Sequence, residues 1–232
     1  METRSKKRAR REQNRCRLVI LDLDGTFVST TERPELLRCY HIDYYVRNPA
    51  VSRSAPLKSQ IMGYTFVRPG TREFIDWLFD ASAARHLNTN RVYVAVWSAG
   101  TREYVDQIVK LLFSHAQREE LVFVWSRDMC ETELCGFVHM LTKPLSKVWS
   151  RFPSFTASNT AIIDDSPHTY AHNKSCAIPI APFVDLCCNS CKPKSMIRAL
   201  PPIDNDDDAV ASGLADARSV LQQHSCARAD SF

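Results

Sequence analysis

An apolar strand that ends in two carboxylates most strongly constrains the fold of this chain. Residues 18–21 are all apolar and run directly into Asp22, with Asp24 two positions later and Gly25 after it. A continuous apolar run is typical of a strand covered on both faces, as in a parallel α/β sheet. Asp22 and Asp24 then start on the same side of the strand, at the carboxyl edge where such sheets bind ligands. Because the two carboxylates repel each other, the pattern predicts a cation there, most simply Mg²⁺.

The length and composition favour a single intracellular domain. The 232 residues fit one sizeable core with some sequence left for tails. No apolar run reaches the roughly 18 to 20 residues of a membrane span, and the amino-terminal residues lack the apolar centre of a secretory signal. Nine cysteines, an odd number, favour reduced thiols. We therefore expect a soluble protein of the nucleus or cytoplasm without membrane contact.

The positive charge is concentrated at the amino-terminal end. Residues 1–17 hold eight Lys or Arg and two Glu and therefore carry a charge of +6. The whole chain has a net charge of +4, so the remaining residues carry about −2. One short run suits a nuclear import signal, a polyanion contact or a plain solvated extension: Lys6, Lys7, Arg8, Arg10 and Arg11. We expect a basic disordered tail over residues 1–16 and no nucleic-acid binding by the folded domain.

Strands and helices alternate along the remaining sequence. Residues 27–65 predict mostly loop with short elements, and one helix is expected over residues 70–84 with Thr71 as N-cap. Further strands are predicted at residues 92–97, 121–125, 161–163 and 177–180, with helices after Thr101, from Pro144 to Arg151 and over the segment that contains Leu214, Ala217 and Leu221. This order predicts an α/β fold, a Rossmann-like doubly wound and mostly parallel sheet, over residues 17–222, with a tail at 223–232.

Polar side chains follow three of the four main strands. They are Asp22 and Asp24 after the first strand, Ser98 after the second, and Asp164 and Asp165 after the fourth. Lys143 precedes the short helix, where its ammonium can meet an anion. Phosphoryl transfer needs a nucleophile, neutralisation of the equatorial oxygens and a proton for the leaving group. This set supplies all three.

The motifs, taken together and in order, resemble the haloacid dehalogenase superfamily of aspartate-based phosphatases. The first motif of that superfamily is Asp-x-Asp-x-Thr, which here spans residues 22–26. Four segments are similar to a narrower branch, the RNA polymerase II carboxy-terminal-domain phosphatases and NLI-interacting-factor-like phosphatases: residues 67–70, residues 96–99 with Tyr104, residues 143–145 and residues 163–167. The resemblance covers roughly residues 17–222, and it implies the superfamily fold without a large cap domain.

The resemblance implies a catalytic role for several of these residues. Asp22 would attack the phosphorus and become an aspartyl-phosphate. Asp24 would protonate the leaving oxygen and then accept a proton from the hydrolytic water. Ser98, Lys143 and Thr26 would bind the phosphoryl group, and Thr26 would also brace the loop.

A Mg²⁺ ion is the cofactor that the resemblance implies. Its protein ligands would be Asp22, the backbone carbonyl of Asp24, and Asp165. Asp164 would position Lys143 or a metal-bound water.

Each of these residues also has an ordinary interpretation. Isolated Asp residues after strands are usually turn formers, and a Ser before Ala-Gly can be only a cap. Cys188 and Cys191 have zinc-ligand spacing but lack a second matching pair, so reduced thiols are expected at Cys187, Cys188 and Cys191. His168 and His172 are expected as surface or capping histidines.

Little sequence remains for a lid, because a helix and a strand use most of the residues between Ser98 and Lys143. An uncapped site admits a phosphorylated side chain of a protein. The resemblance therefore implies a Mg²⁺-dependent protein serine/threonine phosphatase, with the RNA polymerase II carboxy-terminal domain as the first substrate to consider. A small-molecule phosphatase and a catalytically idle scaffold are the alternatives, although idle relatives typically lose carboxylates that this chain retains.

Overall fold

The computed structural model describes the parts of the chain that build a central sheet and its neighbouring elements. These are residues 16–32, 43–48, 50–52, 54–56, 60–183 and 214–221. The basic cluster at residues 6–11, the cysteines at 187–191 and the tail at 223–232 lie outside the described residues. Across the described ranges, no helix is long and apolar enough to cross a lipid bilayer.

The strands and helices follow the alternation that the sequence predicts, with additions. In chain order they are β1 (Cys16–Leu21), β2 (Val28–Thr31), β3 (Tyr44–Arg47), β4 (Ile61–Val67), α1 (Thr71–Phe79), α2 (Ala81–His86), β5 (Arg91–Trp97), α3 (Arg102–Leu112), α4 (His115–Glu120), β6 (Val124–Trp125), β7 (Glu131–Cys135), β8 (Val138–Thr142), α5 (Ser146–Arg151), β9 (Thr160–Asp164) and β10 (Ala177–Pro179). Short 3-10 helices cover Arg127–Met129 and Ala171–Cys176, and residues 214–221 are helical.

A five-stranded parallel sheet in the order β10-β9-β1-β5-β6 forms the centre of the fold. β1 is its middle strand, and Val19 lies between Ala161 of β9 and Val94 of β5. The predicted α/β fold with a mostly parallel sheet is therefore confirmed. Cys16 already belongs to β1, one residue before the expected start of the domain.

The apolar run of β1 is buried on both faces of the sheet. Val19 and Leu21 pack against α1, α3 and the helix at 214–221, whereas Leu18 and Ile20 face α5 and an aromatic cluster. That cluster contains Trp97, Phe123, Trp125 and Phe152. Because apolar layers cover both faces, the sheet is doubly wound, as predicted.

Residues 27–65 were predicted as mostly loop with short elements, and the structure shows that short strands there form a sheet that the sequence did not reveal. β2, β4 and β3 form a three-stranded antiparallel sheet in that order. β2 reads Val-Ser-Thr-Thr, so it lacks the apolar run or clear alternation from which strands are predicted. Its Val and Thr residues are common in strands, but the segment is short, and its pairing with β4 is visible only in the structure.

The expected helix over residues 70–84 is two helices. Asp80 has an extended backbone, with φ −79° and ψ 145°, and its side chain accepts a hydrogen bond from the backbone of Ser82 at 2.6 Å, capping α2. The N-cap of α1 is Gly70 and not Thr71. Thr71 instead donates from its hydroxyl to the carbonyl of Phe27 at 3.4 Å.

The region between Ser98 and Lys143 also differs from the prediction. The third strand is only Val124–Trp125, and α4 and the β7–β8 hairpin use residues to which the sequence assigned no element. The hairpin turns at Gly136 and carries three exposed apolar side chains, Leu134, Phe137 and Val138. The hairpin is small. In the described residues, neither the antiparallel sheet that follows β1 nor the β7–β8 hairpin forms a large cap domain.

We expect the replacement Ile20→Ala to lower the free energy of unfolding by about 2 to 5 kcal/mol, because Ile20 is fully buried and the cavity would lie in the middle of the sheet. Met62→Ala is the control, since Met62 on β4 is 36% exposed, and should change stability by roughly 0.5 kcal/mol or less. Urea unfolding followed by circular dichroism measures both. Equal losses in the two variants would contradict the burial of β1 on both faces.

Candidate active site

The carboxyl ends of β1, β5 and β9 meet at one edge of the parallel sheet, as the sequence predicts. The amide of Asp22 donates to the carbonyl of Ile163 at 3.0 Å, which fixes the end of β1 beside the end of β9. A cleft of about 310 Å³ opens at this edge. Its lining includes Asp22, Asp24, Ala99, Gly100, Arg127, Lys143, Asp164, Asp165 and His168.

The chain turns sharply after β1 because Gly25 has φ 76°. The Gly25 amide donates to the carbonyl of Val28 at 2.8 Å, and the Phe27 amide donates to that of Leu23 at 2.8 Å. A Cβ atom on Gly25 would lie 2.5 Å from Oδ2 of Asp165. The glycine therefore permits the turn and the close approach of this loop to the Asp165 carboxylate.

Lys143 is a buried cation between two carboxylates. Only 1% of its side chain is exposed, and Nζ donates to Oδ1 of Asp22 at 2.5 Å and to Oδ2 of Asp164 at 2.7 Å. Burial alone would lower the pKa of Lys143, but the charges of Asp22 and Asp164 raise it above the usual value, so the ammonium stays protonated. The amide of Lys143 donates to the carbonyl of Thr169 at 2.7 Å, which holds its backbone in place.

Thr26 and Asp165 are tied together across the loop after β1. The Thr26 hydroxyl donates to Oδ1 of Asp165 at 3.3 Å and accepts the Asp165 amide at 3.2 Å. Thr26 is fully buried. These contacts fit the expected bracing role, and they leave a phosphate contact of Thr26 as a prediction.

Three carboxylates meet where the sequence predicts a metal site. Asp22, Asp164 and Asp165 each offer an oxygen atom, and these atoms lie within 4.8 Å of one another. Burial is the main reason that the pKa values of Asp22 and Asp165 are raised. Lys143 neutralises only part of this negative charge, and carboxylate oxygens are the ligands that Mg²⁺ prefers. The residues present therefore fit a divalent cation, with Asp164 already bound to Lys143.

Asp24 has a different partner from Asp22. The Tyr104 hydroxyl donates a short hydrogen bond to Oδ1 of Asp24. Burial raises the pKa of Asp24 to about 6, although the Tyr104 hydrogen bond acts in the opposite direction. A carboxyl group with such a pKa is suited to giving and taking a proton near neutral pH.

Ser98 lies at the end of β5 and is fully buried. Its Oγ accepts the amide of Gly100 at 3.0 Å, and its own amide donates to the carbonyl of Trp125 at 3.0 Å. Ala99 and Gly100, rather than Ser98, line the cleft. The predicted contact of Ser98 with a phosphoryl oxygen remains a prediction.

Three basic residues of this region were missed or given no role by the sequence reasoning. Arg127 lines the cleft, held by its Nε donating to the carbonyl of Ala99 at 2.8 Å. His168 lies in the cleft lining and is half-buried, so it is a surface residue as expected, and His172 is exposed, also as expected. Arg68 donates to the carbonyl of Gly25 at 3.2 Å, and burial lowers its pKa to about 10. Only Arg68 lies in a motif that sequence reading could single out.

Comparison with protein families matches residues 17–203 to NLI interacting factor-like phosphatase. No curated protein matches the chain significantly.

Three solved structures that align with this chain have low sequence identity to it. A fission yeast Fcp1 variant, an RNA polymerase II CTD phosphatase bound to beryllium fluoride, has a TM-score of 0.48 and 16% identity, covering 97% of this chain and 56% of that chain. Another Fcp1 structure, of an essential RNA polymerase II CTD phosphatase, has a TM-score of 0.48 and 18% identity, covering 97% and 53%. A HAD-superfamily hydrolase of Geobacter sulfurreducens has a TM-score of 0.37 and 15% identity, covering 69% and 83%. The chain spans about half the length of the two Fcp1 chains.

We expect Lys143→Met to lower the free energy of unfolding by about 3 to 5 kcal/mol in metal-free buffer, since two buried carboxylates would lose their cation. Lys147→Met is the matched control, because Lys147 forms a partly exposed ion pair with Glu131 at 3.2 Å and should contribute about 1 kcal/mol or less. Urea unfolding in the presence of a chelator measures both variants. Similar losses would show that Lys143 does not hold the carboxylates together.

Proposed function

Because the chain belongs to the NLI interacting factor-like phosphatase family, we propose that it is a Mg²⁺-dependent protein serine/threonine phosphatase that works through an aspartyl-phosphate. The family match confirms the branch that the sequence motifs predicted, and it supports a phosphatase. The observation that carries the finer proposal is the different environment of two carboxylates, with Asp22 bound to buried Lys143 and Asp24 bound to Tyr104.

Asp22 is the proposed nucleophile. Lys143 holds its Oδ1, so Oδ2 is the oxygen that would attack the phosphorus. The new bond joins Asp22 to the phosphoryl group as the bond from phosphorus to the substrate oxygen breaks. The positive charge of Lys143 stabilises the carboxylate before attack and the phosphoryl oxygens afterwards.

Asp24 is the proposed general acid and base. It gives its proton to the leaving serine or threonine oxygen in the first step. In the second step it takes a proton from the water that attacks the aspartyl-phosphate, which releases inorganic phosphate and restores Asp22. Both steps balance because Asp24 gains in the second the proton that it loses in the first.

The metal would be held by Asp22, the backbone carbonyl of Asp24, and Asp165. Mg²⁺ bound there would supply charge neutralisation for the phosphoryl oxygens. Asp164, which binds Lys143 at 2.7 Å, would keep that lysine in place. Arg127, on the cleft wall, is available as a further cationic contact for an anionic substrate.

A protein substrate is proposed because the cleft is not covered by a large domain in the described residues. A phosphorylated side chain on a polypeptide can then reach Asp22 from outside. The RNA polymerase II carboxy-terminal domain is the first polypeptide to test, since the sequence motifs resemble phosphatases of that domain. The basic cluster at residues 6–11 would suit a nuclear location, where that substrate is found.

We expect the protein to hydrolyse p-nitrophenyl phosphate in Mg²⁺ and to lose this activity in a chelator. Asp22→Asn should abolish turnover because the nucleophile is gone. Asp24→Asn should instead accumulate phosphorylated protein. The p-nitrophenolate leaving group needs little help from an acid, whereas hydrolysis of the aspartyl-phosphate would lack its base. Intact mass spectrometry detects the added phosphoryl group. Asp106→Asn, an exposed carboxylate paired with Arg102 at 3.3 Å, should behave as wild type. Full activity of Asp22→Asn would refute the nucleophile assignment.

For the substrate class, we expect kcat/KM to be at least about tenfold higher for phosphoserine or phosphothreonine peptides than for sugar phosphates, because only the peptide can contact the open surface around the cleft. Phosphate release from heptad-repeat peptides of the polymerase domain, unrelated phosphopeptides and hexose phosphates would be compared. A preference for the sugar phosphates would favour the small-molecule alternative. Equal rates for all peptides would argue against the polymerase domain as a preferred substrate.

A further inference from the structure

The proposed acid Asp24 is connected by hydrogen bonds to the antiparallel sheet. The Tyr104 hydroxyl on α3 donates to Oδ1 of Asp24. Tyr104 and Thr30 Oγ1 lie 2.8 Å apart, and Thr30 and Thr65 Oγ1 lie 2.8 Å apart. Thr30 of β2 is directly opposite Thr65 of β4 in the ladder between those strands. A chain of hydroxyls therefore runs from the antiparallel sheet to the carboxylate.

The donors and acceptors of this chain can be assigned by counting hydroxyl hydrogens. The single Tyr104 hydrogen is used on Asp24, so Thr30 must donate to the Tyr104 oxygen. The hydrogen of Thr30 is then used, so Thr65 must donate to Thr30. Every bond points towards Asp24, and hydrogen bonds aligned in this way polarise and strengthen one another.

Packing fixes the ring of Tyr104 independently of its hydroxyl. A Cβ atom on Gly100 would lie 2.6 Å from Cδ1 of Tyr104, so the ring lies directly against the turn after β5. On the same face of α3, the side-chain amide of Gln107 accepts the backbone N–H of Arg47 of β3 at 2.8 Å and donates to the Arg47 carbonyl at 3.0 Å. The helix is thus attached to the antiparallel sheet at two places.

The phenol is placed as a donor to Asp24. Burial, together with the charge of Asp24, raises the pKa of Tyr104 well above its usual value. The one hydroxyl hydrogen of Tyr104 is directed at Oδ1 of Asp24, so the contribution of Tyr104 is geometric. Since it holds Oδ1 of Asp24, the oxygen left for proton transfer is Oδ2.

We infer that Tyr104, supported by Thr30 and Thr65, is a positioning residue that presents Oδ2 of Asp24 to the leaving oxygen of the substrate. The inference rests on the proposed phosphatase function, since it assigns a role within that reaction. A carboxyl group that rotates freely about its terminal bond would present either oxygen, and general acid catalysis depends on a positioned donor. The chain of hydroxyls that ends at Tyr104 removes that freedom.

The leaving group makes this inference testable, because a poor leaving group needs the acid and a good one does not. Values of kcat/KM in Mg²⁺ would be measured for aryl phosphates of increasing leaving-group pKa and for a phosphoserine peptide. This ratio reports the steps up to phosphorylation of Asp22, so the later hydrolysis does not enter it. Asp24→Asn gives the dependence expected when the acid is absent.

We expect Tyr104→Phe to lose roughly 10- to 100-fold in kcat/KM on the phosphoserine peptide but no more than about threefold on p-nitrophenyl phosphate. Its dependence on leaving-group pKa should therefore become steeper, approaching that of Asp24→Asn. Thr30→Val, one link further away, should change in the same direction by about two- to fivefold. Tyr93→Phe is the matched control, because Tyr93 on β5 packs its ring against Phe155 away from Asp24 and should keep the wild-type dependence.

The outcomes separate this inference from the proposed function. If Tyr104→Phe and Thr30→Val lower kcat/KM by one common factor for all substrates, Tyr104 only supports the fold and the positioning role is overturned. The phosphatase proposal would then still stand. If the wild-type protein hydrolyses none of the substrates, the phosphatase proposal fails and this inference falls with it. Thermal unfolding of each variant shows whether an equal decrease in kcat/KM for all substrates results from lost stability.

Discussion

The rest of this structure depends on the negative charge that the fold collects at the carboxyl edge of its parallel sheet. Asp22 and Asp164 are almost fully buried, and one buried lysine, Lys143, lies between them. Removing carboxylates from water is unfavourable unless a cation compensates, so the position of Lys143 governs the stability of the edge as well as its chemistry. Asp165, which is held by Thr26, is a further carboxylate that Lys143 does not bind. This additional negative charge is why the site fits a divalent cation.

Burial of β1 in the middle of the sheet gives this edge its rigidity. The strand is hydrogen-bonded to β5 on one side and β9 on the other, and both of its faces are covered by apolar side chains. Asp22 therefore leaves a strand that cannot shift without breaking two ladders. The positive φ of Gly25 then brings the following loop back against Asp165, so that Thr26 and Asp165, 139 positions apart, share one site.

Sequence reasoning predicted the features that depend on local pattern and missed those that depend on partners. The apolar run of β1, the carboxylates after β1 and β9, and the order of the parallel strands follow from hydrophobic pattern, which burial enforces directly. β2 was not predicted, because Val-Ser-Thr-Thr is short and its pairing with β4 is visible only in the structure. The role of Tyr104 was hidden for a similar reason: on a helix it resembles any core aromatic, and only the folded chain brings its hydroxyl to Asp24. Arg127 carries no local signal, and His168 was expected only as a surface or capping histidine.

The two carboxylates of the first motif differ because separate parts of the chain hold them. Asp22 meets a permanent cation from the segment before α5, and this charge opposes the rise in pKa that burial causes and so favours the ionised form needed in a nucleophile. Asp24 meets a neutral phenol from α3, which orients the carboxyl group without adding a charge and leaves it able to exchange a proton. Two chemically identical residues, two positions apart in one motif, acquire two functions through their partners, one charged and one neutral. The antiparallel sheet, which lies between Asp24 and Tyr104 along the chain, thus belongs to the site, because Thr30 and Thr65 complete the environment of Asp24.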